Sequence, residues 1–123
     1  MQDTRPKNLN LFTIRFPLPA IASILHRISG FILFLLIPVI LWALDNSLTY
    51  TGFDSLQSTL SSPFAKFCFW VIFLPFCFHL VAGIRHLLSD LHIGNSRKGG
   101  KIAAMCVFAV FILLAILAGV WLW

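Results

Sequence analysis

Apolar residues run almost without interruption through three segments, roughly 19–44, 64–88 and 102–123, while polar residues collect before and between them. Each segment approaches or exceeds the ~20 apolar residues that cross a hydrocarbon core at about 1.5 Å per residue. The alternating pattern of a membrane β-strand is absent. Near-continuous Leu, Ile, Phe, Val and Ala can satisfy their backbone in lipid only as helices. The pattern therefore predicts an all-α membrane protein with three transmembrane helices. Residues 1–123 read as a single domain, with 1–18 as a cytoplasmic N-terminal segment and the stretch between Asp45 and Pro63 as a loop. Basic residues precede the first apolar run, as in a signal peptide. That run nevertheless begins some way into the chain, exceeds a signal core in length and lacks a small-residue cleavage pattern after it, so it reads as a retained span.

Composition narrows the class further. With 59% hydrophobic and 11% charged residues in 123 positions and a mean hydropathy of +0.94, the chain lacks the polar surface a soluble domain needs. The net charge of +5 is unevenly distributed. Arg5, Lys7 and Arg15 precede the first span, and Arg97, Lys98 and Lys101 fill the second loop; the first loop has no Lys or Arg and two Asp. By the positive-inside rule the N-terminus is cytoplasmic and Trp123 lies on the far side, which leaves a basic inner face for a soluble partner. These cations flank spans and are not interleaved with exposed aromatics, which argues against nucleic acid. Cys68, Cys77 and Cys106 all lie in apolar spans without CxxC spacing and read as small buried residues. Trp42, Trp70, Trp121 and Trp123 fall near span ends and read as interfacial anchors.

Against this apolar background two polar stripes stand out. Ser23, His26, Arg27 and Gly30 recur at i, i+3, i+4 and i+7 along one face of the first helix. Arg27 alone could snorkel to the inner interface, but Ser23 and His26 on the same stripe point to a polar ligand site. In the second span His79, Gly83, His86 and Asp90 fall at i, i+4, i+7 and i+11, with Arg85 beside His86. An imidazole as deep as His79 costs a few kcal/mol unless something binds it. Gly83, one turn away, would let a flat macrocycle approach the helix. His86 lies about 10 Å further toward the cytoplasm, where Arg85 and His86 suit the carboxylate arms of such a ring. Because the first two helices run in opposite directions, Arg27 and the Arg85–His86 pair should share a level near the inner face. His26 and His86 read as nearer that interface than an iron at His79, so a second axial ligand would come from another subunit. Pro75, four residues before His79, is expected to bend the helix. On these residues alone His79 is equally a haem ligand or a histidine hydrogen-bonded across helices.

The N-terminal run Arg5-Pro6-Lys7-Asn8-Leu9, then Ile14-Arg15-Phe16-Pro17 and Ser23-Ile24-Leu25-His26-Arg27-Ile28-Ser29-Gly30, together with the segment His79 to Asp90, resembles the cytochrome b membrane-anchor subunits of succinate dehydrogenase, respiratory complex II. The resemblance spans much of residues 5–90; the third span adds only hydrophobicity. It implies a three-helix anchor in a bacterial inner membrane, with the N-terminus cytoplasmic and the C-terminus periplasmic. Such an anchor forms half of a heterodimeric bundle with a second hydrophobic anchor subunit and holds haem b between the two. It also seats an iron-sulfur subunit and a flavoprotein subunit on the inner side and passes electrons from succinate to ubiquinone. By matching position, His79 is the axial haem ligand, Ser23 and Arg27 are quinone-site residues, and His26 and His86 lie near the propionates. Arg27 and Arg85 share that propionate region, and Asp90 is a candidate proton route. A hydroxyl at Ser23 can hold a quinone carbonyl, and Arg27 can stabilise charge on the reduced oxygen. The chain has neither a flavin fingerprint nor a cysteine cluster for iron and sulfur, so dicarboxylate chemistry belongs to the partners. Two rival readings are a small transporter or channel with Arg27, Arg85 and Asp90 as its polar path, and a haem-free structural anchor. A fumarate reductase anchor is a near relative of the first reading, since the direction of flux is set by potentials in the partner subunits.

Overall fold

The computed structural model describes residues 16–94 and 96–123, all-α with no strand among them. Arg5, Lys7, Arg15 and the first part of the N-terminal signature lie outside the described residues. Helix α1 spans Leu18–Ser47, α2 Tyr50–Leu60, α3 Pro63–Asp90 and α4 Arg97–Leu122. Three of the four, α1, α3 and α4, are long and apolar enough to cross a bilayer. At about 1.5 Å per residue the shortest of them, with 26 residues, measures about 39 Å and outreaches a hydrocarbon core of about 30 Å.

Each helix start is written in the local sequence. Extended Pro17 leads into α1, with Pro19 in the first turn, where a missing N–H removes no hydrogen bond. Ser62 and Ser96 cap α3 and α4 by accepting from the backbone N–H of Ala65 at 3.3 Å and Gly99 at 2.9 Å. At its other end α3 closes with the N–H of Ile93 bonded to Leu88 and that of His92 to Ser89. His92 takes a left-handed φ of 61° at the position that glycine usually fills. Helix α3 runs unbroken through Pro75, and α1 through Pro38, a proline the sequence reading passed over. In a bilayer, neighbouring helices and local adjustments compensate for the lost N–H.

Two segments differ from the expectation of simple loops. The stretch after α1 is largely helical, because the Thr49 side chain accepts the Gly52 N–H at 3.2 Å and starts α2. Arg97, Lys98 and Lys101 are not loop residues either. The Ser96 cap places them in the opening turns of α4.

Helix α3 is the centre of the molecule, packed against both α1 and α4, with sparser contact between those two. The buried positions are mostly small: Ala22, Ser29, Cys77, Ala82, Ala104 and Val107, with Phe78 the one large side chain. Phe78 packs edge-on against Phe111, with ring centroids 5.3 Å apart at 84°. Large residues such as Phe34, Phe64 and Val120 face outward. This distribution suits lipid, which solvates Leu and Phe as well as a protein core does, so helices associate where small residues permit close approach. Trp70 also serves the bundle itself: its indole N–H donates to the Ala115 carbonyl of α4 at 2.8 Å. In an apolar medium the N–H needs an acceptor, and a helix carbonyl has a spare lone pair.

Ala104, fully covered at 0% exposure, tests this packing. Ala104→Leu should overpack the helix contact and cost about 1–3 kcal/mol, lowering the unfolding midpoint in mixed micelles. Ala109→Leu, on the exposed side of the same helix, should leave the midpoint within error.

Candidate functional site

Helices α1 and α3 each bring a glycine and a histidine to their crossing. A Cβ added at Gly30 would lie 2.9 Å from His79 Cε1 and 3.3 Å from Nδ1, so the His79 ring rests on the bare backbone of α1. Reciprocally, a Cβ at Gly83 would lie 3.4 Å from His26 Nε2, so the His26 ring rests on α3. The two imidazoles stack with centroids 4.1 Å apart and planes 13° from parallel. His86 completes the cluster, its ring tilted 40° to that of His26 at 4.9 Å.

One serine orders this cluster. Ser29, only 5% exposed, donates its hydroxyl to the His26 carbonyl at 2.8 Å. With that proton committed, the Ser29 oxygen turns its lone pairs toward His79 Nδ1, 3.1 Å away. The His26 carbonyl oxygen lies 3.1 Å from the same nitrogen. Both neighbours are acceptors, so Nδ1 carries the ring proton and Nε2 keeps its lone pair. Stacking uses the face of the ring, whereas that lone pair lies in its plane. His79 is thus held by one nitrogen and free to ligate with the other.

Two further polar atoms are sealed inside without a hydrogen bond among the described residues, His26 Nε2 and Arg85 Nε. Unpaired buried donors and acceptors are costly and rare, and a guanidinium nitrogen buried without an acceptor suits an anion. Ser23 and Arg27, one turn apart on α1, make no hydrogen bond with any described residue; Ser23 is half-buried and Arg27 exposed. Asp90 is exposed at the end of α3, one turn beyond the half-buried Arg85 and His86. Among the described residues no three His, Cys, Asp or Glu side chains converge as a metal-ligand set.

The structure thus joins His26, His79 and His86 and leaves Ser23, Arg27 and Asp90 on their own. The crossing refines two sequence expectations. Gly83 faces the His26 ring of α1, and His26 stacks on His79 instead of lying well below it. The common cause is close helix approach: two glycines let a ring from each helix enter the other. Ser29 was not assigned a role from sequence, although its place three residues after His26 and beside Gly30 puts it at the crossing.

Three apolar helices long enough to cross a bilayer, with imidazole and guanidinium side chains set among them, define the class of small multi-pass membrane subunits. The model of the succinate dehydrogenase/fumarate reductase transmembrane subunits matches residues 1–118, and the chain belongs to that family. It is 42% identical over its whole length and that of its relative to the succinate dehydrogenase cytochrome b556 subunit of Coxiella burnetii. The equivalent subunit of Rickettsia prowazekii is 33% identical, over 92% of this chain and 89% of that protein. A mitochondrial cytochrome b560 subunit from Dictyostelium discoideum is 32% identical over 80% of this chain and 54% of its own length. The chain is therefore a multi-pass membrane subunit with an anchoring role in a complex of this kind.

Unequal space at the two glycines gives a direct test. Gly30→Ala forces a Cβ to within 2.9 Å of the His79 ring and should cost about 1–3 kcal/mol by overpacking. Gly83→Ala, at 3.4 Å from His26, should cost markedly less. Chemical unfolding of the two variants in mixed micelles checks the order.

Proposed function

We propose that the chain is the cytochrome b anchor subunit of a succinate:ubiquinone oxidoreductase, holding one axial side of a haem b shared with a second anchor subunit and contributing to ubiquinone reduction. The observation that carries this reading is His79, whose Nδ1 proton is taken by Ser29 and the His26 carbonyl while Nε2 keeps an in-plane lone pair. A metal-ligating histidine commonly has this arrangement, with the distal N–H tied to a backbone carbonyl or other acceptor. The cytochrome b in the names of the relatives supports the same cofactor.

The residues present fit the group. His79 would ligate the iron. Arg85, with its unpaired buried Nε, and the neighbouring His26 and His86 would meet the carboxylates, since a guanidinium is well matched to carboxylate oxygens. When bound, the haem supplies a one-electron carrier within the membrane. The iron's remaining protein ligand would come from the second anchor subunit.

Ser23 and Arg27 are read as the quinone contacts. Neither is engaged by another described residue, so a hydroxyl donor and a fixed positive charge remain available on adjacent turns of one helix. The hydroxyl donates to a quinone oxygen, and the guanidinium favours the negative charge that develops there on reduction. Asp90, at the polar end of α3, is assigned to the proton route that quinone reduction requires.

The first turns of α1 and α4 lie side by side, with Pro17, Leu18, Pro19, Ser96, Arg97, Gly100 and Lys101 lining one groove. Lys66, at the start of α3, is the single cation at the opposite end among the described residues. The asymmetry supports a cytoplasmic N-terminus in a bacterial inner membrane. It also supports seating of the iron-sulfur and flavoprotein subunits against the basic end.

His79→Ala in the purified complex should abolish or displace the b-type bands of the reduced-minus-oxidised spectrum; an unchanged spectrum refutes the ligand assignment. Arg27→Leu should lower succinate:quinone reductase activity by about tenfold or more, the effect of losing about 1.4 kcal/mol or more of stabilisation. Succinate oxidation with an artificial soluble acceptor should be nearly unaffected, and equal loss of both activities would count against a quinone contact.

A further inference from the structure

The contacts at His79 reach beyond ligation to the properties of the ligand. We propose that Ser29 is a positioning residue that fixes the rotation of the His79 ring and strengthens Nε2 as a donor. The inference rests on His79 being the axial ligand.

Three features carry it. Ser29 is the buried polar residue among those described, covered to all but 5% of its surface, in a position where a hydroxyl without work would be disfavoured. Its proton goes to the His26 carbonyl at 2.8 Å, so the oxygen can only accept from His79 Nδ1 at 3.1 Å. The second acceptor, the His26 carbonyl, is also 3.1 Å from that nitrogen. The ring N–H is therefore shared between two oxygens joined to each other by a hydrogen bond. A single acceptor would let the imidazole swing about its Cβ–Cγ bond, but two acceptors at equal distance define one angle. Gly30 lies close to Cε1, and the His26 ring stacks on the face of His79, so the imidazole is held from several sides.

The electronic consequence has a definite sign. Acceptors at Nδ1–H push electron density into the imidazole and make Nε2 a stronger base. A stronger axial donor favours oxidised iron. Removing one of two acceptors weakens the donor and moves the equilibrium toward reduced iron. Because only part of a hydrogen bond's strength differs between the two oxidation states, the expected change is about threefold. At 59 mV per tenfold for one electron, that is a rise in midpoint potential of about 30 mV.

The test uses the whole purified complex. Redox titration of the b-type bands and the low-temperature electron paramagnetic resonance of the ferric haem, whose g values report axial ring orientation, are recorded for wild type, Ser29→Ala and Ser29→Thr. Ser29→Ala should keep the haem, raise the midpoint and move the g values, while Ser29→Thr, which restores a hydroxyl, should return both toward wild type. If Ser29→Ala fails to assemble, Ser29→Cys, with a much weaker acceptor of similar size, should show the same direction of change. Full haem with unchanged midpoint and g values overturns the proposal. So does partial loss of haem with the remainder unchanged, which marks a merely structural serine. His79→Ala separates the two levels: a spectrum indifferent to that change removes the ligand assignment itself, and a spectrum that depends on His79 but not on Ser29 removes only the positioning role.

Discussion

The crossing of α1 and α3 depends on the absence of two side chains. Gly30 and Gly83 let the helices come close enough for each to receive an imidazole from the other, and the polar chemistry of the bundle follows from that approach. Only at this separation can the His26 carbonyl and the Ser29 hydroxyl reach across to His79. In lipid, where apolar burial gives little drive to helix association, van der Waals contact and hydrogen bonds between helices carry the interaction. The glycines make the first possible and thereby the second. The same geometry divides labour between the two nitrogens of His79, one spent on the fold and one left for chemistry.

Much of this architecture is legible in the chain because a bilayer leaves few choices. Long apolar runs without alternation must be helical, so three spanning helices follow from composition and length alone. The polar stripes are equally plain, since Ser23, His26 and Arg27, and His79, His86 and Asp90, interrupt runs that are otherwise mostly apolar. What the sequence withheld was which stripe faces which partner. Helical spacing says that His79 and Gly83 share a face, but not that the neighbour on that face is α1 of the same chain. Spacing likewise does not show that Gly83 faces His26, or that His26 reaches His79, because side-chain reach at a close crossing outweighs axial position. Ser29 escaped for a related reason: a serine in a helix ordinarily bonds its own backbone, and this one does so while also serving a residue fifty positions away. Helix α2 and the indole of Trp70 were missed because a cap residue and a stray carbonyl act locally and leave no periodic trace.

The unsatisfied atoms are as informative as the satisfied ones. A monomeric membrane protein complete in itself would have little reason to seal Arg85 Nε and His26 Nε2 without acceptors. Together with Ser23 and Arg27, which bond no described residue, they are the groups that the proposed haem and quinone would engage.

Helix α4 opens with Arg97 and Lys98 directly after its serine cap, which sets cations against the positive end of the helix dipole. Alone, this end is electrostatically frustrated, with like charges gathered where the backbone already presents bare N–H groups. A facing acidic surface or anionic lipid headgroups would relieve that tension. Charge placement that fixes topology during insertion thus also makes this end of the bundle the one that draws negative neighbours.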